Sequence, residues 1–189
     1  MKPVFICSLF FLTSIVLFAQ NKPKPVFNSY NEAGLTVGAS AHSIIVETVN
    51  GFTQGRWFAG AGIAYDAYNY RTVPVFFNGK YFFANNKQFF VQGSIGYNFT
   101  KKNSYQQDKK FDSVNYKGGI YLQSAIGCLL SPLKKRSFYF SVNYGLKKLS
   151  KNAGYIIPDD FPPYNETFVA MDKYNYSFKT ISIKAGYKF

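Results

Sequence analysis

The sequence predicts an all-β protein: a transmembrane, antiparallel, up-and-down β-barrel of eight strands, preceded by a cleavable signal peptide. Three observations predict it. Charged residues make up only 16% of the chain and aromatics 20%. That surplus is hard to hide in one small core, but it suits a barrel whose outer side chains meet acyl chains and whose interfaces carry aromatic girdles. Apolar and polar residues alternate in segment after segment, which gives a strand one oily and one polar face. After the first twenty residues no long apolar run occurs, so helical spans are excluded and export leads either to solubility or to a barrel. The competing fold is an aromatic-rich β-sandwich.

The first element is the export signal, residues 1–19. Lys2 precedes an apolar run from Val4 to Phe18, interrupted only by Cys7, Ser8, Thr13 and Ser14, and Ala19 and Gln20 follow. The run is shorter than the roughly 20 residues of a spanning helix and has the shape of a secretory signal, with cleavage expected after Ala19. Cleavage removes Cys7 and leaves Cys128 without an internal disulfide partner; its expected role is that of a small apolar strand residue. Residues 20–29, with Pro23 and Pro25, read as an irregular periplasmic leader, and 30–189 as the barrel.

The strands follow in order. Tyr30 to Ser40 alternates Ala33, Leu35, Val37 and Ala39 with Glu32, Gly34, Thr36 and Gly38. Ser43 to Val49 is less regular, the sequence does not decide which of its faces meets lipid, and Asn50-Gly51 is a two-residue hairpin signal. Arg56 to Asp66 sets Trp57, Ala59, Ala61, Ile63 and Tyr65 against Arg56, Phe58, Gly60, Gly62 and Asp66. Thr72 to Phe83 turns Val73, Val75, Phe77, Tyr81 and Phe83 outward and Asn78 and Lys80 inward, with Pro74 near the start, where a lost ladder donor is tolerated. Gln88 to Phe99 opposes Phe89, Val91, Ile95, Tyr97 and Phe99 to Phe90, Gln92, Ser94, Gly96 and Asn98. Tyr116 to Leu130 puts Ile120, Leu122, Ile126 and Cys128 outward, with Tyr121, Ala125 and Leu129 blurring the other face. Ser137 to Leu149 alternates cleanly, and Ile181 to Phe189 closes the set with Ile181, Ile183, Ala185, Tyr187 and Phe189 on one face.

An even strand number puts both chain ends on the periplasmic side. Connections at Asn50, at Ala84 to Lys87 and at Ser131 to Arg136 are short, whereas Thr100 to Asn115 and Ser150 to Tyr176 are long, so turns and loops segregate to opposite sides. Closure follows from energetics, since open sheet edges in lipid would leave backbone groups unpaired at several kcal/mol each. An eight-stranded barrel has a bore that its own side chains fill.

The formal charge is +13. Nucleic acid is excluded as a partner for an exported chain. Lys101, Lys102, Lys109, Lys110, Lys147, Lys148 and Lys151 fall in or beside the segments expected outside the cell, where they answer outer-leaflet phosphates or simply keep loops solvated.

The chain resembles the small outer-membrane β-barrel proteins related to the OmpA transmembrane domain and its porin-like relatives. The likeness rests on GRWFAGAGIAYD (Gly55 to Asp66), VPVFFNGKYFF (Val73 to Phe83), FFVQGSIGYNF (Phe89 to Phe99) and the terminal ISIKAGYKF, and with the weaker strands it spans nearly the whole mature chain. It implies residence in the bacterial outer membrane, contact with its lipid, and an aromatic assembly signal at Tyr187 and Phe189 read by the barrel-insertion machinery. It implies no activity, because the family includes anchors, adhesins and secretion accessories.

Catalytic, metal and cofactor chemistry is sought without success. His42 is the one histidine; Ser43 is adjacent and therefore points to the other strand face, and Glu47 lies five residues on, so a nucleophile, base and orienting acid do not converge. Asp159-Asp160 is at most a weak cation site in a loop. No phosphate-cradling or dinucleotide glycine motif occurs. No cofactor, metal or enzymatic function is expected. What the alternation does place inside is charge: Glu32, Arg56, Lys80 and Lys184 are expected to form a lumenal network, because buried charges must pair or hydrate. The expected function is structural or surface-interacting, with the long loops as contact surface for an envelope partner. A narrow channel or transport and secretion accessory is the alternative, and a lipid-modifying enzyme a third reading.

Overall fold

A computed structural model describes residues 23–84, 86–100, 113–158 and 166–189. The segment 1–19 expected to be an export signal, with Cys7, and Lys101, Lys102, Lys109, Lys110 and Asp159-Asp160 lie outside these described residues. The strands are β1 (Val26–Gly38), β2 (His42–Gln54), β3 (Trp57–Asp66), β4 (Thr72–Phe83), β5 (Phe89–Thr100), β6 (Ser113–Lys117), β7 (Gly119–Leu129), β8 (Ser137–Pro158) and β9 (Glu166–Lys188). All pairings are antiparallel; β1 to β5 each lie beside their sequence neighbours, β5 pairs with β7 and β7 with β8, and β9 pairs with both β8 and β1, which seals the sheet. Strands β6 and β7 form a single stave: both pair with β8, and the register slips by one residue between Lys117↔Ser150 and Tyr121↔Lys147, at Gly118. The result is a closed barrel of eight staves with the fold of small outer-membrane β-barrels.

Alternation sorts the side chains as hydrocarbon outside and a narrow interior require. Outward residues such as Leu35, Trp57, Phe77, Ile95, Ile126, Phe140 and Ile183 are exposed, while Tyr30, Phe58, Phe76, Phe90, Tyr121 and Tyr139 are buried in the bore. Tyr121 and Leu129, which blur the sixth strand in sequence, are inward residues of this aromatic filling. Strand β2 faces outward with Ile44, Val46 and Phe52 and inward with Ile45, Glu47 and Val49. Pro74 lies in β4 where the β3–β4 ladder is interrupted between Ile63↔Val75 and Asp66↔Thr72, consistent with its missing donor.

Three boundaries differ from the sequence expectation. Asn50-Gly51 is not a turn: β2 runs through it to Gln54, pairing Asn50 with Ser29 and Ala61, and the chain reverses at Gly55, whose φ of 64° is a left-handed value that glycine adopts without a side-chain penalty. Lengthened β2 supplies partners for Val26 to Ser29, so β1 begins at Val26 inside the segment read as a leader, and Asn28 Nδ2 donates to Thr53 Oγ1 at 2.9 Å. The segment from Ser150 to Tyr176 is largely strand. Strands β8 and β9 stay paired from Ser137↔Lys188 out to Pro158↔Glu166, with β6 flanking β8 at Ser150 to Gly154. It reads as loop because the outward face changes character: Ile181, Ile183 and Ala185 give way to Asn175, Ser177 and Lys179, while Tyr176 and Phe178 keep to the other face. Alternation persists, but the outward face there is polar.

The turns at Gly55, Ala84–Gln88 and Leu130–Arg136 lie at one end, here the turn end, together with both ends of the described chain; Phe189 N donates to Ser29 O at 2.9 Å. An aromatic belt rings the outer wall there, with the pairs Phe27–Phe52 at 5.7 Å, Trp57–Tyr81 at 4.6 Å, Phe83–Phe89 at 5.9 Å and Phe138–Tyr187 at 4.7 Å between ring centroids. At the opposite, loop end the β8–β9 ribbon continues past the other staves.

Candidate functional site

The site is the lumen, and it has three layers. At the turn end inward aromatics from five staves meet: Tyr30 of β1 lies 4.9 Å from Phe58 of β3 and 5.7 Å from Tyr139 of β8, and Phe90 of β5 lies 5.9 Å from both Tyr139 and Phe82 of β4. The Tyr139 ring fits because its in-register partner on the adjacent stave is a glycine, Gly186. A Cβ on Gly186 would fall within the Tyr139 ring.

Above this floor lies the ionic layer. Lys184 of β9 extends across the bore to two carboxylates on neighbouring staves, Glu32 Oε1 of β1 at 3.1 Å and Glu47 Oε2 of β2, and all three side chains are almost completely buried. The sheet brings them together because Glu32 pairs in register with Gly186 on one side and Glu47 on the other. Lys80 of β4 donates to Gln92 Oε1 and stands over the Tyr30, Phe90 and Tyr139 rings at 4.5, 5.1 and 5.5 Å. The negative faces of three rings thus share the solvation of an ammonium removed from water. Gln92 Nε2 in turn donates to Asn143 Oδ1 at 3.2 Å, and Asn143 Nδ2 to Ser141 Oγ at 2.9 Å. With both carboxylates and both lysines ionised the layer is neutral, the condition under which charges persist in a low-dielectric bore.

The loop end carries the third layer, a clasp. Lys147 of β8 donates to Asp66 Oδ2 at 2.8 Å, to the carbonyl of Tyr68 at 2.9 Å and to the carbonyl of Tyr70 at 3.3 Å. The other Asp66 oxygen accepts from the Tyr68 amide at 2.8 Å, and Asn69 adopts a φ of 53° between the two tyrosines. The short loop from Ala67 to Arg71 is thereby folded over the bore rather than away from it. Tyr68 is buried, its hydroxyl accepts from Ser40 N at 3.3 Å and its ring meets Phe178 at 5.9 Å, while Tyr70 lies 5.2 Å from Tyr116 and 5.8 Å from Tyr176.

The four residues expected in a lumenal network have different fates. Glu32, Lys80 and Lys184 are buried inside the barrel; Arg56 is exposed in the β2–β3 turn, because the chain reverses at Gly55 and not at Asn50-Gly51, and among the described residues it joins no charge network. Glu47 and Lys147 are the members that sequence reasoning missed. Glu47 stands on the strand whose facing the sequence leaves open; Lys147 falls, by the alternation of the seventh strand, on the face of Tyr139, Ser141, Asn143 and Gly145, but counted with the external lysines it is left out of the network. Tyr187 and Phe189 meet edge to face on the outer wall, with ring centroids 4.8 Å apart. His42 is exposed at the start of β2, Ser43 points to the other face, and Glu47 is engaged by Lys184. Among the described residues no group of three potential metal ligands occurs.

The sequence matches no family model, and no curated protein matches it. Among solved structures the chain is similar to the outer membrane protein AlkL, determined by solid-state NMR in lipid bilayers, at 7% identity and a TM-score of 0.54 over 90% of this chain and 92% of that one. It is also similar to the outer membrane protein OprG from Pseudomonas aeruginosa, at 12% identity and a TM-score of 0.48 over 89% of this chain and 97% of that one. At these identities the likeness concerns the fold.

Proposed function

We propose that the protein is an integral barrel of the bacterial outer membrane whose lumen is closed, and that its task is structural or interactive: it anchors the β8–β9 ribbon, with flanking β6, at the cell surface as a contact for an envelope or surface partner. In this reading the turn end and both chain ends face the periplasm, and Tyr187 and Phe189 are read by the insertion machinery. One observation carries it: three successive layers, the aromatic floor, the Lys184–Glu32–Glu47 bridge and the Lys147 clasp, occupy the bore from end to end. No wide aqueous path is compatible with them. The ribbon, in contrast, continues beyond the wall, as contact surfaces on rigid scaffolds do.

A narrow ion path is the second reading. It is favoured by buried lumenal atoms without a hydrogen-bond partner among the described residues, including both side-chain polar atoms of Asn98, the Tyr121 hydroxyl and Gln123 Oε1, which are positions suited to water. Planar-bilayer recording separates the two. The closed reading expects no steady conductance in the parent protein, and a large, long-lived conductance overturns it.

A further inference from the structure

At the turn end a groove of about 660 Å³ opens at the barrel rim, lined by Val26, Phe27, Lys135, Arg136 and Phe189. Its floor is apolar and open: Val26, Phe27 and Phe189 are each about half exposed. Its rim is cationic. Lys135 and Arg136 project from the β7–β8 turn, and neither has an acidic partner among the described residues. No Asp or Glu occurs in residues 23–27, 54–57, 83–88 or 130–136, the segments that form this end. The adjoining cavity is lined by Lys24, Lys87, Lys134, Lys135 and Lys188, so the charged side chains around the groove are all cationic. Leu133, on the same turn as the cations, is 87% exposed, and an apolar tip beside basic residues is the composition of a segment that sits in a headgroup layer.

Apolar wall below and two cations above is the polarity profile of a phospholipid turned inside out. A guanidinium offers paired donors to phosphate oxygens and an ammonium adds a point charge, and basic pockets at the membrane edge hold anionic headgroups by this means. We propose that the groove binds one anionic glycerophospholipid of the leaflet at the turn end, its phosphate between Lys135 and Arg136 and an acyl chain along Val26, Phe27 and Phe189. The site rests on the membrane reading given above.

Native mass spectrometry of the full chain folded in detergent, titrated with dioleoyl phosphatidylglycerol, tests it. One retained lipid is expected, with the Lys135→Gln/Arg136→Gln variant binding about tenfold or more weakly and Lys134→Gln within about twofold of the parent. The zwitterionic phosphatidylcholine should bind about tenfold more weakly, and inorganic phosphate in millimolar excess should not displace the lipid. Equal retention by the double variant, equal retention of phosphatidylcholine, or displacement by free phosphate overturns the proposal. The turn is exposed, and folding of each variant is checked by heat-modifiable gel mobility; Lys135→Gln alone, expected to weaken binding about threefold, serves if the double variant misfolds. A chain that inserts into vesicles but retains no phosphatidylglycerol overturns the groove alone, whereas a chain that stays water-soluble without detergent overturns the membrane reading.

Discussion

Replacing Lys184 with methionine keeps the length of the side chain and removes the one ammonium that bridges Glu32 and Glu47. At its 3.1 Å contact with Glu32 Oε1, an effective dielectric near 20 gives an attraction of about 5 kcal/mol. Each buried ion also costs several kcal/mol in lost hydration, so the intact bridge is worth far less than that figure. The variant keeps the hydration cost of two carboxylates and loses their partner, and removing one member of a buried pair costs about 3–5 kcal/mol. With a urea slope of about 2 kcal/mol/M, the midpoint should fall by about 2 M. Reversible urea unfolding in vesicles, followed by tryptophan fluorescence and gel mobility, is the assay. Adding Glu47→Gln to Lys184→Met leaves Glu32 with Lys80, which is within its electrostatic reach, and should recover more than half of the loss. A midpoint for Lys184→Met within about 0.3 M of the parent, about 0.6 kcal/mol on the same slope, would refute the reasoning, as would a double variant no more stable than the single one.

Three further outcomes follow from the same coordinates. Lys147→Met should release the Ala67–Arg71 loop, costing about 3 kcal/mol and exposing Tyr68 and Tyr70 to chymotrypsin in reconstituted vesicles, where the parent resists cleavage. Gly186→Ala should destabilise the barrel by about 1–3 kcal/mol because the new methyl overlaps the Tyr139 ring, and Tyr139→Leu in the same chain should remove most of that cost in a double-mutant cycle of unfolding midpoints. Arg56→Ala, in an exposed turn, should change stability by less than about 0.5 kcal/mol; a loss near that of Lys184→Met would return Arg56 to the network.

The barrel was legible in the sequence because lipid imposes a period of two over long stretches, and the strands with the cleanest alternation, β3, β4, β5 and the first half of β8, have the facing that their residues announce. Legibility failed where the solvent outside changes. Beyond Lys179 the outward residues are Ser177 and Asn175 and the inward ones aromatic, so apolar alternation reverses its sign and a strand resembles a loop. It failed again at Asn50-Gly51, where a strong local turn signal is overridden by pairing on both sides, with Ser29 and Ala61. That misplaced turn is also why Arg56 was expected inside. Glu32, Lys80 and Lys184 could be placed because each interrupts an unambiguous stave. Glu47 could not, since β2 is apolar on both faces with Ile44, Ile45 and Val46 in succession. The clasp was illegible for another reason: it joins Lys147 to Asp66 and to two carbonyls, contacts 81, 79 and 77 residues apart that no local pattern encodes.

The central claim is that the outward residues face hydrocarbon and not water. Trp57 is the one tryptophan of the chain and is 66% exposed on the outer wall, so its fluorescence reports that claim without a label. In vesicles of brominated lipid its emission should be strongly quenched, more by bromine near the headgroups than by bromine at the chain ends, while aqueous acrylamide quenches it little. Emission unmoved by brominated lipid and quenched by acrylamide would contradict the account.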